Sequence, residues 1–329
     1  MTFPTCSPGT VGFSVRNLDN HEMLAPDDPL PAIPEHIAWM KREGIPTILG
    51  GAGFTTAPQA MLRFMEADYG IAGQGEEALP LLLDQIANGG VDGTLPGLVW
   101  RKDGTVIINP PSVFGLRSKQ PDWSPVDLRP YSRGLFPIPV VVKTGCSFNC
   151  TYCDTPATCG RAIPREIDEI INDFRVVVAR TVRRFYLIDP CLSHPVDFAK
   201  ELFRAMICER LGVSFGANLE PAQGCYDDEL FALYRRAGGQ FALLGCESLS
   251  RTMLESYGKP FTVDDVLAWS KGAKRAGLRF GVQLLFGGPG ECEATVAETL
   301  ATLPTLDFSL FLYGIGVRIY PRTGPTGNR

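Results

Sequence analysis

The chain has 329 residues, enough for about two domains at roughly 100–200 residues each. Hydrophobic residues make up 45% and charged residues 20%, which excludes wholesale disorder, and a net charge of −5 argues against a protein that coats nucleic acid. No apolar run approaches the roughly 18 residues of a membrane span, and the opening MTFPTCSPGT lacks the basic flank and apolar stretch of a secretory signal, so a cytoplasmic location is expected.

Residues 10–16 read as a short buried strand, and 17–34, rich in Asp and Pro, as a break. Glu35–Glu43 has helical character and ends at Gly44. Ile45–Leu49 is a strand closed by Gly50, Gly51 and Gly53; Ala57–Glu66 is helical; Tyr69–Ala72 is a strand running into Gly73-Gln74-Gly75-Glu76. Glu77–Asn88 carries apolar residues at helical spacing up to Gly89-Gly90. This alternation is the rhythm of a parallel α/β sheet. Leu98–Trp100 and Val106–Asn109 flank Lys102-Asp103-Gly104 as a hairpin. Seven prolines between Asn109 and Pro139 remove backbone donors, so this is irregular connecting chain.

The second half restarts the rhythm. Strands are predicted at Ile138–Lys143, Arg184–Ile188, Val213–Gly216, Phe241–Leu244, Arg279–Phe286 and Leu312–Ile319. Helices are predicted at Arg165–Thr181, Pro195–Arg210, Asp227–Ala237, Thr262–Ala276 and Glu291–Leu303. Six βα-type repeats fit either an open barrel or a doubly wound sheet, and spacing alone does not choose. The six arginines of Arg161–Arg184 read as a solvated helix face, with no aromatic interleaving to suggest nucleic acid. The domains are placed at 1–108 and 137–329, joined by a Pro-rich linker over 109–136.

Ten cysteines without a secretory signal do not suggest a disulfide framework. Cys6, Cys159, Cys191, Cys208, Cys225, Cys246 and Cys292 are scattered, as small buried hydrophobes are. Cys146, Cys150 and Cys153 form a C-x3-C-x2-C triplet just after the strand through Val140–Val142, where α/β proteins place their sites. Three thiolates from one loop hold three corners of a metal cluster and leave the fourth open. A structural zinc site is the competing reading, with Cys159 as fourth ligand. It is disfavoured because His21, His36 and His194 lie far from the triplet in sequence and no second C-x2-C pair exists.

With Tyr152 at the aromatic position, the triplet reads C-x3-C-x-aromatic-C and resembles the signature of the radical S-adenosylmethionine (radical SAM) superfamily. The resemblance implies a partial (βα)6 barrel over 137–320. It implies that Cys146, Cys150 and Cys153 bind a 4Fe–4S cluster whose open iron chelates SAM, and that one electron from the cluster cleaves the sulfonium to a 5′-deoxyadenosyl radical. Gly245-Cys246-Glu247-Ser248 resembles the family's G-x-E-S segment, which places Glu247 toward the cofactor ribose. Gly287-Gly288-Pro289-Gly290-Glu291 is similar to its G-x-P-G-E turn, and Gly316 to Pro321, with Val317, to the segment near the adenine. Asp189 stands where the family often turns a polar residue toward the methionine moiety; Tyr152 and Gly287 complete the implied SAM contacts.

The N-terminal part resembles the Rossmann-like cobalamin-binding domain of one large radical SAM subgroup. It carries the resemblance in Val11 to Asn20, Gly50-Gly51-Ala52-Gly53-Phe54 and Gly73-Gln74-Gly75-Glu76-Glu77. The implied cobalamin contacts are Ser14, Gly50, Gly51, Gly53, Gly73, Gly75 and Glu76, because glycines at strand ends let a flat macrocycle approach the backbone. The D-x-H-x-x-G motif that supplies a histidine to cobalt is absent. Only about 90 residues precede the linker, short of the roughly 100–150 that a doubly wound cobalamin domain takes, and the chain stops after the sixth strand. The sequence is therefore read as truncated at both ends, its N-terminal part an incomplete Rossmann-like domain with an apolar edge.

The implied activity is cobalamin-dependent methyl transfer to an unreactive centre of a small-molecule or peptide substrate, with a reductant such as flavodoxin or ferredoxin. The alternatives are a cobalamin-independent radical SAM enzyme, such as a methylthiotransferase or oxidoreductase, and an inactive cluster-binding fragment. The methylthiotransferases carry a separate N-terminal cysteine cluster, whereas the N-terminal part here has only Cys6.

Overall fold

The computed structural model describes residues 9–18, 30–111, 121–133 and 136–320. Cys6, His21, Asp19-Asn20, Pro321 and the Thr323–Arg329 tail lie outside them. Two main sheets organise the chain.

The first sheet comprises β1 (Val11–Ser14), β2 (Thr47–Gly50), β3 (Tyr69–Ile71), β4 (Leu98–Lys102) and β5 (Thr105–Ile108), in that spatial order. β1, β2 and β3 are parallel, and β4 and β5 add an antiparallel hairpin. Helices α1 (Ala32–Arg42), α2 (Ala52–Thr56), α3 (Pro58–Met65) and α4 (Ala78–Ala87) supply the connections. Ile37, Leu49, Phe54 and Leu62 form a core on one face, and Ile48, Ile71, Leu82 and Leu98 a second on the other. Strand order rises without reversal, so this sheet is not doubly wound over the described residues.

The second sheet joins β6 (Ile138–Val141), β9 (Arg184–Ile188), β10 (Ser214–Leu219), β11 (Gly239–Glu247), β12 (Arg279–Phe286) and β13 (Leu310–Ile315), all parallel and in sequence order. A doubly wound sheet reverses its strand order at a switch point. This one does not, which decides for the open barrel. The two-residue strands β7 (Lys143–Thr144) and β8 (Ile163–Pro164) pair separately and frame the cysteine loop. A short α5 (Arg129–Arg133) precedes the barrel; α6 (Thr155–Thr158), α7 (Ile167–Ala179), α8 (Val196–Glu209), α9 (Asp228–Ala237), α10 (Arg251–Ser256), α11 (Val263–Arg275) and α12 (Glu293–Thr302) follow along it.

Period-2 alternation sorts each barrel strand. Phe215, Ala217 and Leu219 turn outward into the core beneath the helices, where Phe174, Phe203, Phe231 and Trp269 are fully buried. Asn218 falls on the opposite face with Tyr186, whose hydroxyl donates to its Oδ1 at 2.7 Å. Helix starts are set by capping: Asp227 accepts from the Leu230 N–H, and Thr262 with Asp265 forms a reciprocal capping box.

Three expectations are corrected. The arginines of Arg161–Arg184 do not share one helix face. Arg161, Arg175, Arg180, Arg183 and Arg184 are exposed, as expected, but only Arg175 lies within α7, and Arg165, ahead of it, is buried against Asp173 at 2.7 Å. Second, the proline-rich segment is not only connecting chain, since Leu128 is buried in the barrel core with Trp123, Val126 and Tyr131 packed against it. Third, the strands predicted at Val213–Gly216 and Phe241–Leu244 run on through Leu219 and Glu247, because their polar lumen-facing residues continue the pleat rather than end it.

Candidate functional site

The cysteine loop leaves the barrel after β6 and is held from two sides. Gly145 sits at φ +72, and a Cβ there would come within 2.3 Å of the Arg161 carbonyl oxygen, so only glycine permits the turn. The Cys146 N–H donates to the Gly160 carbonyl at 3.1 Å, while Thr151 donates from its backbone to Tyr257 and from its hydroxyl to the Ser256 carbonyl, both at 2.9 Å. The three cysteines are half-buried and free. The Phe148 N–H points at Cys146 Sγ at 3.4 Å, and the Thr155 hydroxyl lies 3.3 Å from Cys153 Sγ. The Phe148 N–H is a backbone donor of the kind that stabilises a metal-bound thiolate, while toward Thr155 it is the Cys153 thiol that donates.

Burial raises the Cys146 thiol, and it pushes Cys150 up to about 11, with Lys259 opposing and Glu247 adding to the rise. These sulfurs are therefore protonated at neutral pH until metal displaces the protons. Among the described residues no three His, Cys, Asp or Glu side chains converge on a point fit for a single ion. A cluster differs in its demand, since each thiolate binds a different iron, and three cysteines along one clamped loop fit that donor set.

Behind the loop lies a buried polar group. Glu247, at φ +58 after a register shift in β11, accepts from the Tyr152 hydroxyl at 2.7 Å and pairs with Lys259 Nζ at 2.8 Å. Lys259 also donates to the Gly245 carbonyl at 3.0 Å and lies over the Tyr152 and Phe261 rings. Burial alone would lower its pKa, but Glu247, Tyr152 and Glu220 hold it well above the ordinary value. Glu220, just past β10, is buried with Oε2 unpartnered, and burial raises it to about 8. Gly245 separates the two carboxyls: a Cβ on it would lie 3.6–3.7 Å from oxygens of both.

The other expected SAM contacts are spread along the same end of the barrel. Asp189 is buried, accepts from the Cys191 N–H at 2.8 Å and lies 3.3 Å from Lys143 Nζ, which also donates to the Cys191, Leu192 and His194 carbonyls. The Gly287 N–H donates to Glu291, closing the turn after β12. Val317 follows β13 in irregular chain.

At the C-terminal ends of β1, β2 and β3 lies a cavity of about 480 Å³. Ser14, Gly50, Gly51, Gly73, Gly75 and Glu76 line it, and so do Thr158 and Cys159 from the end of α6. Gly53 lies off the lining, its N–H donating to the Val15 carbonyl. The cavity wall thus begins one helical turn beyond Cys153. A Cβ on Gly50, the last residue of β2, would meet only the Ile71 carbonyl oxygen at 3.9 Å, which leaves that strand end bare, as approach by a flat macrocycle requires.

The Radical SAM superfamily profile matches residues 140–303, which span the barrel from β6 through α12. The chain belongs to the radical SAM superfamily. A radical SAM domain works with a 4Fe–4S cluster and SAM, and the clamped three-thiol loop fits the cluster. The cytidylyl-2-hydroxyethylphosphonate methyltransferase of Streptomyces wedmorensis is 23% identical over 75% of this chain and 53% of its own length. The tryptophan 2-C-methyltransferase of Streptomyces laurentii is 21% identical over 85% of this chain and 57% of its own length. A solved structure, the radical SAM methyltransferase TsrM from Kitasatospora setae with cobalamin and a 4Fe–4S cluster bound, superposes with a TM-score of 0.87 at 24% identity, covering 97% of this chain and 66% of that one. The fold is therefore shared across both sheets, and the chain spans about half to two-thirds of the length of these relatives.

Four residues that the structure brings beside these groups and the cavity escaped the sequence reading. Glu220 had a signal: it continues the lumen-facing series Ser214, Gly216, Asn218. Lys259, Lys143 and Thr158 had none, because tertiary contacts alone bring them in.

Proposed function

We propose that this chain is a cobalamin-dependent radical SAM methyltransferase acting on an unreactive centre of a small-molecule or peptide substrate. The observation that carries this reading is the shared wall: Thr158 and Cys159, at the end of the short helix that starts after Asp154, the residue following Cys153, line the cavity at the strand ends of the first sheet. Bound at the cysteine loop, the cluster and SAM would supply reductive sulfonium cleavage, and a corrinoid in the cavity would carry the methyl group. The chain's own contribution is placement. Cys146, Cys150 and Cys153 hold the cluster; Glu247, fixed by Tyr152 and Lys259, keeps lone pairs free to accept ribose hydroxyls. The strand-end glycines admit the macrocycle, and Ser14, Gln74 and Glu76 offer polar contacts to its periphery. The expected electron donor is a small reductant such as flavodoxin or ferredoxin.

The test is anaerobic reconstitution with iron, sulfide and hydroxocobalamin, then desalting and an absorption spectrum. The wild type should retain both a broad cluster band near ~400 nm and corrinoid bands, and Cys146→Ala/Cys150→Ala/Cys153→Ala should lose the former. Cluster without corrinoid would overturn the cobalamin reading in favour of the cobalamin-independent alternative.

A further inference from the structure

The two cavity walls are tied to the cysteine loop by adjacent threonines of α2. Thr55 faces the cavity: its hydroxyl accepts from the Gly73 N–H at 3.0 Å and donates to the Gly51 carbonyl at 2.9 Å. Both glycines line the cavity. Thr56, buried, turns the other way. Its hydroxyl reaches Asp154 Oδ2 at 3.1 Å and the Ala52 carbonyl at 3.1 Å. Asp154 directly follows Cys153, and its carbonyl accepts from the Ala157 and Thr158 N–H groups and the Thr158 hydroxyl, starting the helix that ends on the cavity at Thr158 and Cys159. A closed circuit results: cavity glycines, α2, Thr56, Asp154, α6, and the cavity again.

We propose that Thr56 and Asp154 are positioning residues that couple occupancy of the strand-end cavity to the state of the cysteine loop. This rests on the corrinoid reading for its ligand, but not for its geometry. A ligand seated against Gly51, Gly73 and Thr158 displaces or stiffens α2 and α6, and both displacements reach Asp154, one bond chain from a cluster thiolate. Coupling of this kind is reciprocal, so loading of the loop changes affinity in the cavity by the same factor. The charge of Asp154 beside the cluster also sets its potential, since hydrogen bonds and net charge near the sulfurs tune it.

The experiment has two arms. In the first, hydroxocobalamin affinity is measured by fluorescence quenching for the cluster-reconstituted wild type and for Cys146→Ala/Cys150→Ala/Cys153→Ala. The two should differ at least about fivefold, a typical coupling. Thr56→Val, reconstituted and compared with its own Cys146→Ala/Cys150→Ala/Cys153→Ala counterpart, should bring the difference within about twofold, and Thr56→Ser should restore it. Equal affinities in the wild-type pair, or full coupling retained in Thr56→Val, overturn the proposal. In the second arm, the midpoint potential of the cluster is measured without corrinoid. Thr56→Val removes a donor from the carboxylate and should lower the potential; Asp154→Asn removes the charge and should raise it. If no form binds hydroxocobalamin, the corrinoid reading fails and the second arm alone judges the tie: opposite shifts support it, and unmoved potentials overturn it.

Discussion

Tyr152 and Glu247, 95 residues apart in sequence, meet through a 2.7 Å hydrogen bond in which the phenol donates to the carboxylate. One comes from the cysteine loop and the other from the end of β11, so this bond fastens the loop to the barrel. Lys259 takes the other carboxylate oxygen at 2.8 Å and is itself buried. Removing one partner of a buried ion pair costs about 3–5 kcal/mol because the other charge is left uncompensated, whereas losing a neutral donor to a charged acceptor costs about 1.5–3 kcal/mol. Lys259→Met should therefore lower the urea midpoint more than Tyr152→Phe. The reverse order would show that the phenol, not the ammonium, holds Glu247.

The contrast between these two contacts shows how far the sequence reaches. Tyr152 and Glu247 were both legible: one stands in a spaced cysteine motif, the other in a G-x-E-S segment at a strand end. Their mutual bond was not legible, because it depends on the bulge that puts Glu247 at φ +58. Lys259 carries no local pattern at all. Fold followed a similar division. The βα alternation gave the barrel strands Arg184–Ile188 and Arg279–Phe286 to the residue, yet the six-residue α10 was missed, too short for helical periodicity to register. Arg165 misled because charge looks solvated in a sequence, and only the fold brings Asp173 of α7 beside this residue, which lies ahead of the helix.

Glu220 makes the stability pH-dependent. Its carboxyl is raised to about 8 in the fold, chiefly by burial, from an ordinary value near 4.5. A carboxyl with a raised folded pKa stabilises fully when both states are protonated, and that contribution is lost as pH climbs from 4.5 through 8. The span corresponds to an upper figure of about 5 kcal/mol. Glu220→Gln should thus gain stability over the wild type as pH rises from 5 to 9. Urea denaturation of the cluster-free proteins at pH 5, 7 and 9 checks this, and a difference that stays flat with pH would refute the assignment to Glu220.

Gly145 is where the loop tolerates no side chain. An alanine there meets a carbonyl oxygen at 2.3 Å and adopts a left-handed conformation costing about 1–2 kcal/mol. Gly145→Ala should leave the far-ultraviolet circular dichroism intact, because the barrel core does not involve it. Iron retention after reconstitution should weaken about tenfold, as when the support of a metal ligand is disturbed. Unchanged iron content would mean that the loop reforms without the Gly145 turn.

Gly50 tests the cavity without disturbing the loop. It ends β2, lines the cavity and has no positive φ, and a Cβ on it meets only the Ile71 carbonyl oxygen at 3.9 Å. A leucine there is accommodated by the backbone and grows into the cavity instead. Overfilling a site costs about 1–3 kcal/mol, equivalent to a roughly fivefold or greater loss of affinity. Gly50→Leu should therefore shed hydroxocobalamin on desalting while keeping the cluster band. Gly90→Leu is the control, since Gly90 is exposed with open space around its Cβ position and lies off the cavity lining. Equal corrinoid retention in both variants would place the ligand elsewhere than at the strand ends, because the same side chain would then be harmless inside the cavity and outside it.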